Sequence, residues 1–166
     1  MILKILKKNK INKSLINKIS KLKNQEWKYG VKANIRWFQE KIEEDDIHFI
    51  LFNQNKIIAY NCMRKKIFLT KKKFKNTLYI FDSLVVCKKY RNKGLGKFIS
   101  IASLFFLNKF KLKSFLLCKK KNLQFYKSIG WKFYKDLRIK LTNHSSNNLK
   151  MFYNFSKPLN IKEIIF

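Results

Sequence analysis

The chain has 166 residues, with 39 Lys and Arg against 9 Asp and Glu, a formal net charge of +30. Hydrophobic residues make up 46% and aromatics 16%, enough to bury a core, so wholesale disorder is excluded. Four glycines and one proline exclude collagen-like and low-complexity chains.

Residues 2–6 read as a first strand. From Asn12 the period changes, and Leu15, Ile16, Ile19 and Leu22 recur at helical spacing, with Asn12 or Ser14 as the cap. Gly30 punctuates the chain. Val31, Ile35, Phe38 and Ile42 then mark one face of a second helix. Residues 47–52 and 56–69 form a hairpin about the turn 53–55. Residues 70–77 read as a lysine-rich loop. Residues 78–86 are nearly apolar and predict a central strand.

A glycine-containing turn over 91–96 leads into an apolar run, 98–110, expected as a buried helix. Residues 114–118 predict a short central strand. Residues 122–129 predict a short helix closed near Gly130. Two more strands are expected over 131–141 and 149–156, joined by the polar residues 142–148. The order is β-α-α-β-β-β-α-β-α-β-β, an α+β pattern in one domain over residues 1–166.

Only Arg36, Arg64, Arg91 and Arg138 are arginine; every other basic residue is lysine. With abundant Asn, Ile and Phe, this is what an AT-rich coding sequence produces. A dedicated nucleic-acid reader invests in arginine forks, so no specific nucleic-acid partner is expected. The charge still attracts polyanions and acidic lipids in a salt-sensitive way. Cys62, Cys87 and Cys118 are odd in number and hold no CxxC pair. Free thiols are expected, with neither structural zinc nor a disulfide framework. The longest apolar stretch, ten residues over 98–107, is too short to span a bilayer, and the N-terminus lacks the apolar region of a signal peptide. A soluble, cytoplasmic protein is the expectation.

The chemistry should lie in Leu84-Val85-Val86 and Arg91-Asn92-Lys93-Gly94-Leu95-Gly96-Lys97. A buried strand ends, a basic turn follows, and two glycines lead into a helix. Glycine lets backbone N–H groups approach a ligand, and a helix N-terminus favours an anion. Arg91, Lys93 and Lys97 add positive charge. This is a phosphate cradle in physical terms, and neither a Walker A loop nor a GxGxxG turn.

Arg-x-x-Gly-x-Gly after an apolar strand resembles motif A of the GNAT acyl-CoA N-acyltransferase superfamily. Phe125-Tyr126-Lys127-Ser128-Ile129-Gly130-Trp131 resembles that family's FYxxxGF segment, with Trp in the last place. The resemblance implies a GNAT-like three-layer fold, a mixed and mostly antiparallel sheet of about seven strands flanked by about four helices. It implies acetyl-CoA as co-substrate and no metal. The pyrophosphate would lie on the turn from Arg91 to Gly96, through Asn92, Lys93, Gly94 and Leu95, with Lys97 at the helix start. Leu84, Val85 and Val86 would hold the pantetheine arm, and the Val86 N–H would steady the thioester carbonyl. Tyr126 would protonate the departing thiolate. Lys119 stands where the family often has asparagine, and Asn92 where glycine is common, a place asparagine tolerates because it accepts left-handed geometry.

Asp82 is a carboxylate inside an otherwise apolar strand, and period 2 places it with Leu84 and Val86. Such a group is paired or functional, and Asp82 is the candidate base for deprotonating an amine. His48, in the second strand, is a weaker candidate for contacting the acceptor. His144, in the loop 142–148, is a candidate acceptor contact. Glu40, Glu43, Glu44, Asp45 and Asp46 either guide a cationic amine or form a solvated patch. The acceptor is a primary amine; an amino sugar, a polyamine and a protein amine stay open, with a small molecule favoured. The competing reading is an inactive GNAT-like scaffold whose lysines bind nucleic acid or acidic membrane. A homodimer is compatible with the resemblance.

Overall fold

The computed structural model describes residues 1–135, 137–142, 147–156 and 160–166. Strand β1 (Ile2–Lys7) precedes helices α1 (Lys13–Lys23) and α2 (Val31–Lys41). Strands β2 (Ile47–Asn53), β3 (Lys56–Thr70) and β4 (Lys75–Val86) follow, then helix α3 (Leu95–Lys109), strand β5 (Ser114–Cys118) and helix α4 (Leu123–Lys127). Strands β6 (Lys132–Phe133), β7 (Lys140–Thr142), β8 (Leu149–Tyr153) and β9 (Ile161–Ile165) close the chain.

The sheet runs β1-β2-β3-β4-β5-β8-β6, with β9 also on β3 and β7 on β9. The β4–β5 and β7–β9 pairs are parallel. The β1–β2, β2–β3, β3–β9, β5–β8 and β6–β8 pairs are antiparallel. The fold is therefore mixed α/β, with a mostly antiparallel open sheet and four helices among the described residues.

Four local expectations need correction. The single strand expected over 131–141 is two short strands, β6 and β7. Strand β9 was not anticipated, and β4 begins at Lys75, inside the expected lysine-rich loop. Helix α3 is not buried all round: Phe98, Ile101 and Phe105 are 51%, 47% and 70% exposed. Its buried face carries Ile99, Ser100, Ser103, Leu104 and Leu107. A helix apolar on every side has no period to show which face is inward.

Two compact units divide the chain. One comprises residues 1–64 and 82–103. Its core joins Ile19 and Leu22 of α1, Phe38 of α2, Ile50 of β2, Tyr60 and Cys62 of β3, and Val85 of β4. Asn12 caps α1, its side chain accepting the Leu15 N–H at 2.9 Å. At the start of α2, Gly30 takes φ +91°, and its N–H donates to Asn24 Oδ1 at 2.9 Å.

The other unit comprises residues 65–81 and 104–166. Its core gathers Phe68, Leu78, Ile80, Phe115, Phe152 and Ile164. The register Tyr79↔Ser114 and Ile80↔Phe115 seats the first part of β4 beside β5.

Candidate active site

The end of β4 and the turn after it lie in the first unit. Val85 is buried in the core, while Leu84 and Val86 are half-buried. Residues 88–90 make one 3-10 turn. Arg91 then folds back: its Nε donates to the Val86 carbonyl at 3.2 Å, and its Nη2 pairs with Glu26 at 2.8 Å. Nearby, the Lys88 N–H donates to Gln25 Oε1 at 3.1 Å. Arg91 thus braces the turn, and its charge is matched by Glu26. Lys93 and Lys97, both exposed, supply the positive charge left over.

Two residues of the turn are left-handed, Asn92 at φ +60° and Gly94 at φ +73°. Asparagine tolerates this conformation, as expected. A Cβ on Gly94 would meet nothing within 4 Å, so the backbone torsion asks for glycine there and open space lies beside it. The first helical bond of α3 runs from the Phe98 N–H to the Gly94 carbonyl, 2.9 Å. The N–H groups of Leu95, Gly96 and Lys97 therefore have no acceptor within the helix. Free donors, the positive end of the helix and two lysines together can hold a pyrophosphate.

Asp82 lies four residues before Val86. Its Oδ1 accepts the Ser83 hydroxyl at 3.0 Å, and its Oδ2 pairs with Arg64 Nη1 at 3.2 Å. Its side chain is 29% exposed, so the carboxylate is paired and still open to water. Ser83 takes φ +58° inside the strand. From Asp82 to Val86 burial alternates, with Ser83 and Val85 inward, whereas Ile80 and Phe81 are both buried.

Arg64 also donates Nη2 to the Lys41 carbonyl at 3.1 Å, and its Nε lies 4.0 Å from Asp46. Asp46 is fully buried and accepts the Glu43 N–H at 2.9 Å. Of the acidic group 40–46, Asp46 is thus a core residue, and Asp45 pairs at the surface with Lys7.

His48 is fully buried. Its Nδ1 lies 2.9 Å from the Tyr60 hydroxyl, and its ring stacks on Phe38 at 5.2 Å. Burial, then the charges of Lys23 and Lys8, lower its pKa from 6.5 to about 3. Between those values the unfolded chain takes up a proton that the native ring refuses. Stability is therefore expected to fall as pH drops below 6.5 towards 3, by up to ~1.4 kcal/mol per pH unit from this group. Urea midpoints between pH 7 and pH 4 check this. A His48→Gln protein should lose less stability over that range than the wild type, and parallel losses would refute the assignment. His144 lies outside the described residues.

Tyr126 belongs to the second unit. Its ring is buried against Phe81, Phe125 and Trp131 at 6.0, 5.0 and 6.4 Å. Gly130 closes α4 at φ +102°, a Cβ there would approach Tyr153 at 3.4 Å, and the Trp131 N–H reaches back to the Tyr126 carbonyl at 3.1 Å.

The structure adds residues that sequence reasoning passed over. Lys23 is on the buried face of α1, and its ammonium sits 3.2 Å from the centre of the Trp37 ring and 5.7 Å from that of Trp27. Position i+4 from Ile19 was the available signal for Lys23. Arg64 could have been noticed as one of four arginines in a lysine-rich chain. No group of three or more metal-ligating side chains occurs among the described residues. No helix there is long and apolar enough to cross a membrane.

The profile of the acetyltransferase (GNAT) family matches residues 15–131, from α1 through the cradle to Trp131. No curated protein matches the chain. Among solved structures, the chain is similar to a GNAT family N-acetyltransferase from Escherichia coli in complex with CoA, at 15% identity and a TM-score of 0.70, over 99% of this chain and 88% of that one. It is similar to the aminoglycoside 6'-N-acetyltransferase from Enterococcus faecium, at 14% identity and a TM-score of 0.66, over 95% and 99%. It is also similar to the ribosomal-protein-S18-alanine N-acetyltransferase from Escherichia coli, at 14% identity and a TM-score of 0.63, over 91% and 92%. Both family motifs fall on the elements that the profile spans, and the fold is shared almost end to end: the chain belongs to the GNAT family of acetyltransferases.

Proposed function

We propose that this acetyltransferase, acting as one domain over residues 1–166, moves the acetyl group of acetyl-CoA to a primary amine of a small molecule, an amino sugar being one such. The observation that carries the reading is the cradle: left-handed turns at Asn92 and Gly94, then three N–H groups at the start of α3 without helical acceptors. These residues fit a pyrophosphate, and the solved relative holding CoA supports the same reading. Acetyl-CoA supplies an activated acyl group on a thiol that leaves readily. Residues 91–97 hold its pyrophosphate, and Leu84, Val85 and Val86 hold the pantetheine arm. The Val86 N–H orients and polarises the acyl carbonyl. Asp82, oriented by Arg64 and Ser83, accepts the proton of the incoming amine through water. Tyr126, carried over from the family motif, returns a proton to the thiolate.

Calorimetric titration at ~0.3 M salt, where loose attraction to phosphates is screened, tests the cofactor half. One-to-one binding of acetyl-CoA without comparable binding of ATP is expected. Equal binding of both would favour the scaffold that attracts polyanions through its lysines. A Tyr126→Phe protein tests the acid. Its kcat is expected to fall ~10²-fold with acetyl-CoA affinity retained, and an unchanged kcat would remove Tyr126 from the mechanism.

A further inference from the structure

Lys23 is the most unusual cation in the first unit. It is 5% exposed, and lysine is almost never so buried without a partner. Among the described residues its ammonium makes no hydrogen bond and no ion pair; only the rings of Trp37 and Trp27 face it. The carboxylate whose charge acts on it, Asp82, is already engaged by Arg64 and Ser83. Burial holds the Lys23 pKa down to about 8, from 10.5, with Asp82 the largest opposing influence. The ammonium is thus met by ring faces alone, and a bound anion would give it an opposite charge.

Its position links it to the cradle. Lys23 ends α1, and the next residues are fastened to the turn after β4: Gln25 accepts the Lys88 N–H, and Glu26 pairs with Arg91. Trp27 and Trp37 pack in the core cluster that contains Val85 and touches Cys87. Arg64, the partner of Asp82, also lies over the Trp37 ring at 5.6 Å, so the Lys23 ammonium on that ring adjoins the proposed base.

We infer that Lys23, with Trp27 and Trp37, forms an acceptor subsite for the carboxylate of an amine that also carries one, such as an amino acid or an acidic amino sugar. This rests on the acetyl-transfer reading above. One unpaired ammonium matches one negative charge, and the indole faces give a sugar or aromatic ring a surface to stack on. Arg64 is already paired with Asp82 and is not the anchor.

Matched substrate pairs test it. Thiol release from acetyl-CoA is measured with muramic acid against glucosamine, and with phenylalanine against phenethylamine, for wild type, Lys23→Met and Lys23→Arg. In the wild type, kcat/KM is expected to be at least tenfold higher for the carboxylated member of a pair, mainly through KM. Lys23→Met should collapse that ratio towards one, and Lys23→Arg should keep most of it. A wild-type ratio near one, a ratio that survives in Lys23→Met, or no turnover of any of the four amines overturns the subsite. Preference for glucosamine 6-phosphate over muramic acid overturns the carboxylate assignment. If Lys23→Met does not fold, the wild-type ratios decide alone. Calorimetric binding of acetyl-CoA is read separately, so loss of the subsite and loss of the acetyl-transfer reading are told apart.

Discussion

An Arg64→Met protein is expected to unfold with about 3 kcal/mol less free energy than the wild type. Arg64 donates to two oxygens, Asp82 at 3.2 Å and the Lys41 carbonyl at 3.1 Å, and its Nε faces Asp46 across 4.0 Å. Asp46 is fully buried. Removing the guanidinium takes a cation from beside that buried charge, and the loss outweighs any gain from packing a methionine. The Lys41 carbonyl, at the end of α2, also loses its donor. The effect belongs at the lower end of the 3–5 kcal/mol typical of such cuts, because Asp82 is 29% exposed and water can serve it. Lysine should restore only part of the loss, since one ammonium cannot reproduce the fork that serves both the Asp82 carboxylate and the Lys41 carbonyl. Urea unfolding at pH 7 checks this, and a loss under 1 kcal/mol would show that the network is not a stabilising unit.

The second large effect concerns the cradle. A Gly94→Glu protein is expected to bind acetyl-CoA at least ~100-fold more weakly, about 2.7 kcal/mol. Gly94 sits at φ +73° with open space beside it. A side chain would add the 1–2 kcal/mol strain of left-handed backbone and would fill the space left for the ligand. The carboxylate would also compete for the N–H groups at the start of α3. Gly94→Ala separates these causes, because it carries the strain with neither the bulk nor the charge, and should weaken binding by much less. Circular dichroism confirms that both variants are folded. Unaltered acetyl-CoA affinity in Gly94→Glu would move the pyrophosphate away from this turn and with it the proposed mechanism.

Much of this architecture was legible in the residues because it depends on local rules. Asn12 reads as a cap, the spacing from Val31 to Ile42 as a helix, and the turn 53–55 as a hairpin, and each is an element of the structure. The left-handed turn at Asn92 and Gly94 follows from the backbone preferences of those residue types. Strands β6 and β7 were merged because the residues between them are also rich in strand formers. Strand β9 gains its partners, β3 and β7, from distant sequence, which no local pattern reports. The acidic group 40–46 and the many lysines hid the charges that matter most. Nothing in composition says that Asp46 and Lys23, rather than their neighbours, are buried. That choice is made by which helix face turns inward and by the bonds that Arg64 can reach.

The brace between residues 24–26 and 88–91 has two strands of unequal character. Glu26 and Arg91 form an exposed ion pair, 48% and 39% open, which salt weakens. Gln25 and the Lys88 N–H form a neutral bond that salt leaves largely alone. Ionic strength is thus a mechanical variable for this protein. Raising it slackens one of two guy-lines on the segment that carries Trp27 and leaves the other taut, so that segment gains a single pivot at Gln25.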